Sequence, residues 1–177
     1  MFIETGRMIL RNFTENDLAD LHEIFSDPVV MEHTEPPYDL KKTQDTLRNL
    51  WMGEGIAFGA ALKESGKIIG YVLFRKDYEP EIYEAGWIFN KGYWGRGYAY
   101  EICAALFVHG FEVMGLHKIC AHATDAVKSV GMMKKLGMTQ ESFKRKHCKS
   151  YGQWLDLYGY AILREDYEQR RCDNGDS

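Results

Sequence analysis

The chain has 177 residues, 45% of them apolar and 14% aromatic, and a formal net charge of −4 at pH 7. That length fits one domain with a sizeable core, and that composition excludes a disordered chain. No basic run stands out to suggest a nucleic-acid surface, no apolar run reaches the length of a membrane span, and residues 1–7 lack the apolar core of a signal peptide. The four cysteines, Cys103, Cys120, Cys148 and Cys172, show no C-x-x-C spacing, so they read as reduced thiols of a cytoplasmic chain rather than a disulfide or zinc framework.

Residues 8–13 read as a short apolar strand. Thr14 then offers an N-cap with acids behind it, and Leu18, Leu21, Ile24 and Phe25 fall at helical spacing until Asp27-Pro28 ends the helix. A second helix follows Asp39, with Leu40, Thr43, Leu47 and Leu50 on one face. The connection between the two helices holds His33-Thr34-Glu35, polar and flanked by breakers, which on its own is an ordinary solvated loop. Residues 56–62 and 67–75 read as strands of a hairpin turning at Gly66, and residues 82–89 as a third strand. Short connections make this set antiparallel.

Next comes Gly92-Tyr93-Trp94-Gly95-Arg96-Gly97-Tyr98-Ala99, then an amphipathic helix over residues 99–114 closed by Gly115. Glycines let a backbone approach a bound group, a helix N-terminus offers unpaired N–H groups and a positive dipole end, and Arg96 adds a fixed charge. Such a loop suits a phosphate or pyrophosphate, although a tight strand-to-helix turn would use the same glycines for geometry alone. It is not a P-loop, because Tyr98-Ala99 follows Gly97 where Lys-Ser/Thr is required, and Tyr100 breaks the G-x-G-x-x-G dinucleotide fingerprint.

The stretch resembles the acetyl-CoA pyrophosphate loop of the GNAT acetyltransferases, Gln/Arg-x-x-Gly-x-Gly/Ala, with Gly92 at the Gln/Arg position. The longer string from Glu84 to Ala99, with its Trp-Gly-x-Gly-Tyr-Ala core, looks like the ribosomal-protein N-terminal acetyltransferase (RimJ/RimL-like) branch. The resemblance implies an α/β (α+β) GNAT fold, a mixed and mostly antiparallel twisted sheet with helices on both faces. It also implies acetyl-CoA as co-substrate. Gly95, Arg96, Gly97, Tyr98 and Ala99 would hold its pyrophosphate, and the backbone of Trp87, Ile88 and Phe89 its pantetheine. In that fold the connection between the first two helices borders the acceptor, so His33 and Glu35 become substrate-binding candidates.

Residues 117–123 read as a strand parallel to residues 82–89, joined to it by the helical crossover. A short helix with Val127, Val130, Met133 and Leu136 ends at Gly137. It carries a second resemblance to the family's Asn-x-x-Ser and Lys-Leu-Gly pattern: Ser129, Lys135, Leu136 and Gly137 match, Ala126 stands at the Asn position, and Asp125 beside it is a partial stand-in. Residues 141–146 and 154–163 form a closing hairpin of the same branch, with Ser150 to Gln153 as its loop. One domain over residues 1–168 and a polar, flexible tail over 169–177 complete the organisation.

Moving an acetyl group from a thioester to a primary amine calls for amine deprotonation, a donor to the thioester oxygen and a proton for the leaving thiolate. Glu84 is the candidate base, beside aromatics that would raise its pKa by desolvation; a solvent-facing strand acid would show the same alternation. The N–H of Phe89 or Ile88 is the oxyanion donor. Ser129, on the resemblance, donates to the thiol sulfur, because Met133 occupies the position where many relatives carry a Tyr acid. Tyr158 or Tyr160 on the last strand reach the site, Tyr158 being the substrate-binding candidate. His109, His117, His122 and His147 show no metal-ligand spacing, so no metal is expected, and no Gly-x-Ser-x-Gly elbow suggests a hydrolase. The acceptor is a protein N-terminus or a small amine, and exposed strand edges leave room for a homodimer. Met133 and Ala126 keep open a non-catalytic acetyl-CoA sensor or interaction module.

Overall fold

The computed structural model describes residues 1–173 and 175. Among them, one sheet is built from β1 Phe2–Glu4, β2 Met8–Arg11, β3 Ala57–Leu62, β4 Ile68–Lys76, β5 Ile82–Phe89, β6 Lys118–Ala123, β7 Thr139–Ser150 and β8 Gln153–Leu163. The strand order is β1-β2-β3-β4-β5-β6-β8-β7. Every neighbouring pair is antiparallel except β5 and β6. The helices are α1 Leu18–Phe25, α2 Leu40–Thr46, α3 Tyr98–Val108, α4 Lys128–Lys135 and α5 Arg164–Asp173.

Local chemistry sets the ends of these elements. The Asp17 carboxylate accepts from the N–H and hydroxyl of Thr14 and so fixes the approach to α1. Asp39 caps α2 by accepting from the Lys42 N–H. Tyr151 and Gly152 both have positive φ, 48° and 78°, which suits the two-residue turn that joins β7 to β8. The expected four-residue loop is therefore shorter, and β7 correspondingly longer. A register shift between Lys144 and Cys148, with Lys146 at φ 49°, bends that strand.

The sheet separates two apolar cores. On one face α3 and α4 contribute Ile102, Leu106, Phe107, Val130 and Met133 against Ile69, Val72, Ile119 and Tyr160. On the other, α1 brings Leu21, Ile24 and Phe25 together with Leu47, Trp51, Ala57 and Ile68. Helices thus lie on both faces, as expected. The helix expected over 99–114 is α3 followed by a π-helical turn at His109–Val113, and α2 likewise runs into one at Leu47–Met52.

Two segments differ from expectation. β1 adds an edge strand beside β2, where no strand was expected. α5 continues the chain as helix to Asp173, into the segment expected to be a polar, flexible tail from residue 169. Tyr167 stacks on Phe111 at 4.8 Å, and Arg164 donates to the Phe111 carbonyl. Residues 174, 176 and 177, on which the tail expectation also fell, lie outside the described residues.

Candidate active site

β5 and β6 pair for only three positions, Ile82 with Lys118, Tyr83 with Ile119 and Glu84 with Cys120, and then part. The Asn90 N–H donates to the Ile69 carbonyl of the β4 side. By antiparallel alternation, Ile88 and Gly86 therefore spend their backbone groups on β4, while Trp87 and Phe89 turn theirs toward the side that β6 has left. This separates two residues that the sequence groups together. Phe89 is available as an N–H donor at the open edge and Ile88 is not. The Phe89 carbonyl already accepts from the Trp94 indole N–H at 2.7 Å.

The glycine-rich loop carries the chain from this open edge into α3. Gly95 and Gly97 have φ of 74° and 79°, conformations that an L side chain adopts only with strain, and Gly97 is the N-cap residue. Arg7 braces the loop from the β1–β2 turn: its guanidinium donates to the Arg96 carbonyl at 3.0 Å, pairs with Glu101 and lies 4.3 Å from the Tyr98 ring centroid. Gly92, at the position of the family's Gln or Arg, donates its N–H to the buried Asn90 side chain.

The parted strands, the loop and the N-terminal ends of α3 and α4 enclose a cleft of about 590 Å³. Of the sequence-expected cofactor residues, Trp87, Phe89, Gly95, Gly97, Tyr98, Ala99, Ser129 and Lys135 line it. Ile88 does not; its side chain packs with the opposite core. Arg96 does not either, and its guanidinium carbon lies 5.7 Å from the Tyr93 ring centroid. Met133 is buried in the core, so a Tyr acid at that place would have no counterpart here. Asp125 accepts from the N–H groups of Val127 and Lys128, which caps the first turn of α4 beside Ala126.

Lys128 and Met132 also line the cleft and lay outside the sequence reading, which had Lys135 and Ser129 of this helix. Lys128 reaches over the Trp94 ring at 4.4 Å, the expected Lys135 over Tyr100 at 4.3 Å, and Met132 lies between them on the same helix face. Their spacing of i, i+4 and i+7 beside Ser129 was the available signal, two lysines on one stripe of a short helix. Both cations flank the cleft, a setting that favours anionic groups.

On the side where the acceptor was expected, His33 lines the cleft together with Val30 and Thr34. Its loop is pinned from both sides, because Thr124 donates to the His33 carbonyl and Ser150 to that of Glu32. Glu35 is elsewhere: it accepts from the Tyr38 hydroxyl and pairs with Lys42 at 2.7 Å. Burial works to raise its pKa, but those two donors win and hold it below the usual carboxylate value. Tyr158 is also outside the lining, its ring 5.1 Å from Phe143, and the Tyr160 hydroxyl is used on Gln140.

Glu84 sits at the last paired position of β5 and outside the lining. It accepts from Arg75 at 2.6 Å and lies 3.4 Å from His122 Nδ1. The His122 hydrogen bond lowers its pKa, and burial opposes this without prevailing, since Arg75 adds to the lowering. The upward shift expected from neighbouring aromatics is therefore not what this environment gives. Among the described residues no cluster of three metal-ligating side chains occurs, and no helix is long and apolar enough to cross a membrane.

A family model described as an acetyltransferase (GNAT) domain matches residues 7–139, three quarters of the chain. The chain belongs to the GNAT acetyltransferase family. Its architecture is the GNAT fold and it is an acetyltransferase, in a family that uses acetyl-CoA. Over 94% of its length it is 33% identical to the uncharacterized N-acetyltransferase YnaD of Bacillus subtilis, covering 99% of that protein. A crystal structure of a GNAT-family acetyltransferase from Bacillus anthracis superposes with a TM-score of 0.86 at 31% identity, over 93% of this chain and 99% of that one. A spermidine N-acetyltransferase from Vibrio cholerae, solved in complex with CoA and spermine, shares the fold with a TM-score of 0.79 at 21% identity, over 93% of this chain and 99% of that one.

Proposed function

We propose that this GNAT domain transfers the acetyl group of acetyl-CoA to a primary amine by direct attack in a ternary complex. The observation that carries the reading is the junction of two features in one cleft. The open backbone edge at Trp87 and Phe89 meets, a few residues on, the left-handed Gly95 and Gly97 at the N-terminus of α3. The residues present fit acetyl-CoA. Bare glycines and unpaired helix N–H groups suit a pyrophosphate, Lys128 and Lys135 add positive charge, and an unpaired strand edge suits an extended chain of amides.

When bound, acetyl-CoA supplies an acetyl group already activated as a thioester. The Phe89 N–H, turned to the open edge, would donate to the thioester oxygen as it gains charge. The Ser129 hydroxyl, half-buried on the cleft wall, is the donor nearest in role to the leaving sulfur. His33 borders the space from which an acceptor enters. The Trp94-Gly95-Arg96-Gly97-Tyr98-Ala99 core supports a RimJ/RimL-like acceptor, a protein N-terminus, while the spermidine enzyme from Vibrio cholerae supports including a polyamine among the candidates.

The test joins calorimetric titration with acetyl-CoA to an assay of CoA thiol release over a panel of spermidine, an alanine-initiated hexapeptide, L-lysine and kanamycin. Release that depends on one of these amines supports the proposal. Release without an amine would make the protein a thioesterase, and tight binding with no release would make it a sensor.

A further inference from the structure

One ionisable cluster, at the point where β5 and β6 part and outside the residues that line the cleft, has no role in the machinery described so far. His122, on β6, lies two residues past the last position paired with β5, and so is level with Gly86 along the strands. Its side chain shares the sheet face of Glu84 and Gly86, because Ile119 and Ala121 take the alternate positions in the opposite core. Two residues further on, Thr124 ties β6 to the His33 loop at the acceptor side. We propose that His122 is the proton acceptor for the incoming amine, and that Glu84 and Arg75 are positioning residues that hold its imidazole in the form able to act. This rests on the acetyl-transfer reading above.

Glu84 stands at the final rung of the β5–β6 ladder, three residues or roughly 10 Å of strand short of Trp87, where the open edge begins. His122 stands beyond that rung, one residue from the level of Trp87. The imidazole packs against the Gly159 backbone of β8, beside Ser142 Oγ. A Cβ there would come within 3.3 Å of Cδ2 and 3.5 Å of Nε2. The side chain is 41% exposed, and Nε2 has no hydrogen-bond partner among the described residues.

A carboxylate only accepts hydrogen bonds, so the contact of 3.4 Å between Nδ1 and Glu84 Oε1 puts the proton of the neutral ring on Nδ1 and leaves the Nε2 lone pair facing outward. Arg75 holds the other carboxylate oxygen at 2.6 and 2.9 Å, which fixes the orienting group in turn. Around the ring stand Glu84 from β5 and the uncharged Gly159 and Ser142 from β8 and β7; behind Glu84 lies Arg75 of β4, and Cys120, two residues back on β6, contacts Asp77. An ammonium acceptor gives one proton to Nε2, directly or through a water. Its freed lone pair forms the N–C bond as the C–S bond breaks. The second proton on nitrogen goes to the departing thiolate, and the proton on His122 returns to water, so that amide, thiol and one released proton balance the reaction.

The test compares wild type, His122→Gln and Glu84→Gln, using whichever panel amine the wild type acetylates and, in parallel, hydroxylamine, a nucleophile that is already neutral at pH 7. In His122→Gln, kcat/KM for the ammonium acceptor should fall roughly 10²-fold at pH 7 and then climb with pH as the amine deprotonates by itself. Turnover of hydroxylamine and the KM for acetyl-CoA should stay close to wild type. In Glu84→Gln the amide can donate to Nδ1, so 15N resonances of the ring should show the proton moved to Nε2, with kcat reduced more than KM is raised. An unchanged kcat/KM and pH profile in His122→Gln overturns the assignment. So do equal losses with both nucleophiles, since those mean structural damage. A wild type that acetylates no amine removes the acetyl-transfer reading itself and this inference with it, an outcome distinct from an active wild type with an indifferent His122.

Discussion

Gly97 and Asp17 show how single residues set this molecule's limits. Gly97 holds φ at 79°, and an alanine in that left-handed conformation carries a strain of roughly 1–2 kcal/mol. The nearest side-chain atom to its missing Cβ is 3.6 Å away, on Arg7, so conformation and not crowding is the obstacle. Gly97→Ala should therefore lower the melting temperature by a few degrees and weaken acetyl-CoA binding about tenfold, read by thermal unfolding and calorimetry. Asp17 acts on stability instead. Burial alone would raise its pKa, but the paired bonds from Arg11 at 2.8 Å and the Thr14 N–H at 2.7 Å outweigh that and hold it below its usual value. A depressed folded pKa contributes stability that is present above the unfolded value, about 3.9, and is lost as pH falls through the folded one. Asp17→Asn should cost about 2 kcal/mol in urea unfolding at pH 7, and the gap from wild type should narrow only below about pH 4. The glycines were legible in the sequence because a Gly-x-Gly between strand and helix has few explanations. The Arg11–Asp17 pair was not, since a fork of bonds six residues apart leaves no periodic trace.

Elements obey the same division between what is written locally and what packing decides. The β3–β4 hairpin, α1, α3 and the β5-to-α3 loop could be read from alternation, helical spacing and turn glycines, each contained in one window of sequence. β1 and α5 could not, because β1 is three residues long and α5 has a charged face; their order comes from Phe2–Glu4 pairing with β2 and from Tyr167 stacking on Phe111. The π-helical turns ending α2 and α3 are tertiary adjustments of the same kind. The candidate site was half legible for this reason: its loop is local, whereas the Glu84–His122–Arg75 cluster joins three strands. The brace between the β1–β2 turn and α3 is an element-scale device with a measurable consequence. Arg7 is half exposed, so its ion pair with Glu101 contributes at most about 1 kcal/mol to stability. Its bond to the Arg96 carbonyl fixes the loop ahead of the ligand, and preorganisation acts on affinity. Arg7→Ala should raise the KM for acetyl-CoA several-fold with kcat and melting temperature nearly intact in steady-state kinetics and thermal unfolding, and Arg7→Lys should rescue it poorly because a point charge lacks the fork.

At the scale of the whole molecule, the sheet is nearly two sheets. β1 to β5 and β6 to β8 meet at three paired positions, and beyond them α3, α4 and the pinned His33 loop span the gap. A co-substrate lying along the open edge would bridge both halves, so its binding should be visible in global stability and in a local alternating pattern. With acetyl-CoA at a hundred times its Kd, linkage adds about 2.7 kcal/mol, which for a chain of this size raises the melting temperature by roughly 5–10 °C. The local pattern is the sharper expectation. In native-state hydrogen exchange the amides of Trp87 and Phe89, turned toward the gap, should exchange quickly in the free protein and slow on adding acetyl-CoA. Those of Gly86 and Ile88, already bonded to β4, should be protected in both states. Slowing at all four amides would mean a general tightening of β5, and slowing at none would place the co-substrate away from this edge. Only an alternation of slowed and unchanged amides reports a chain added to the strand where β6 has left it.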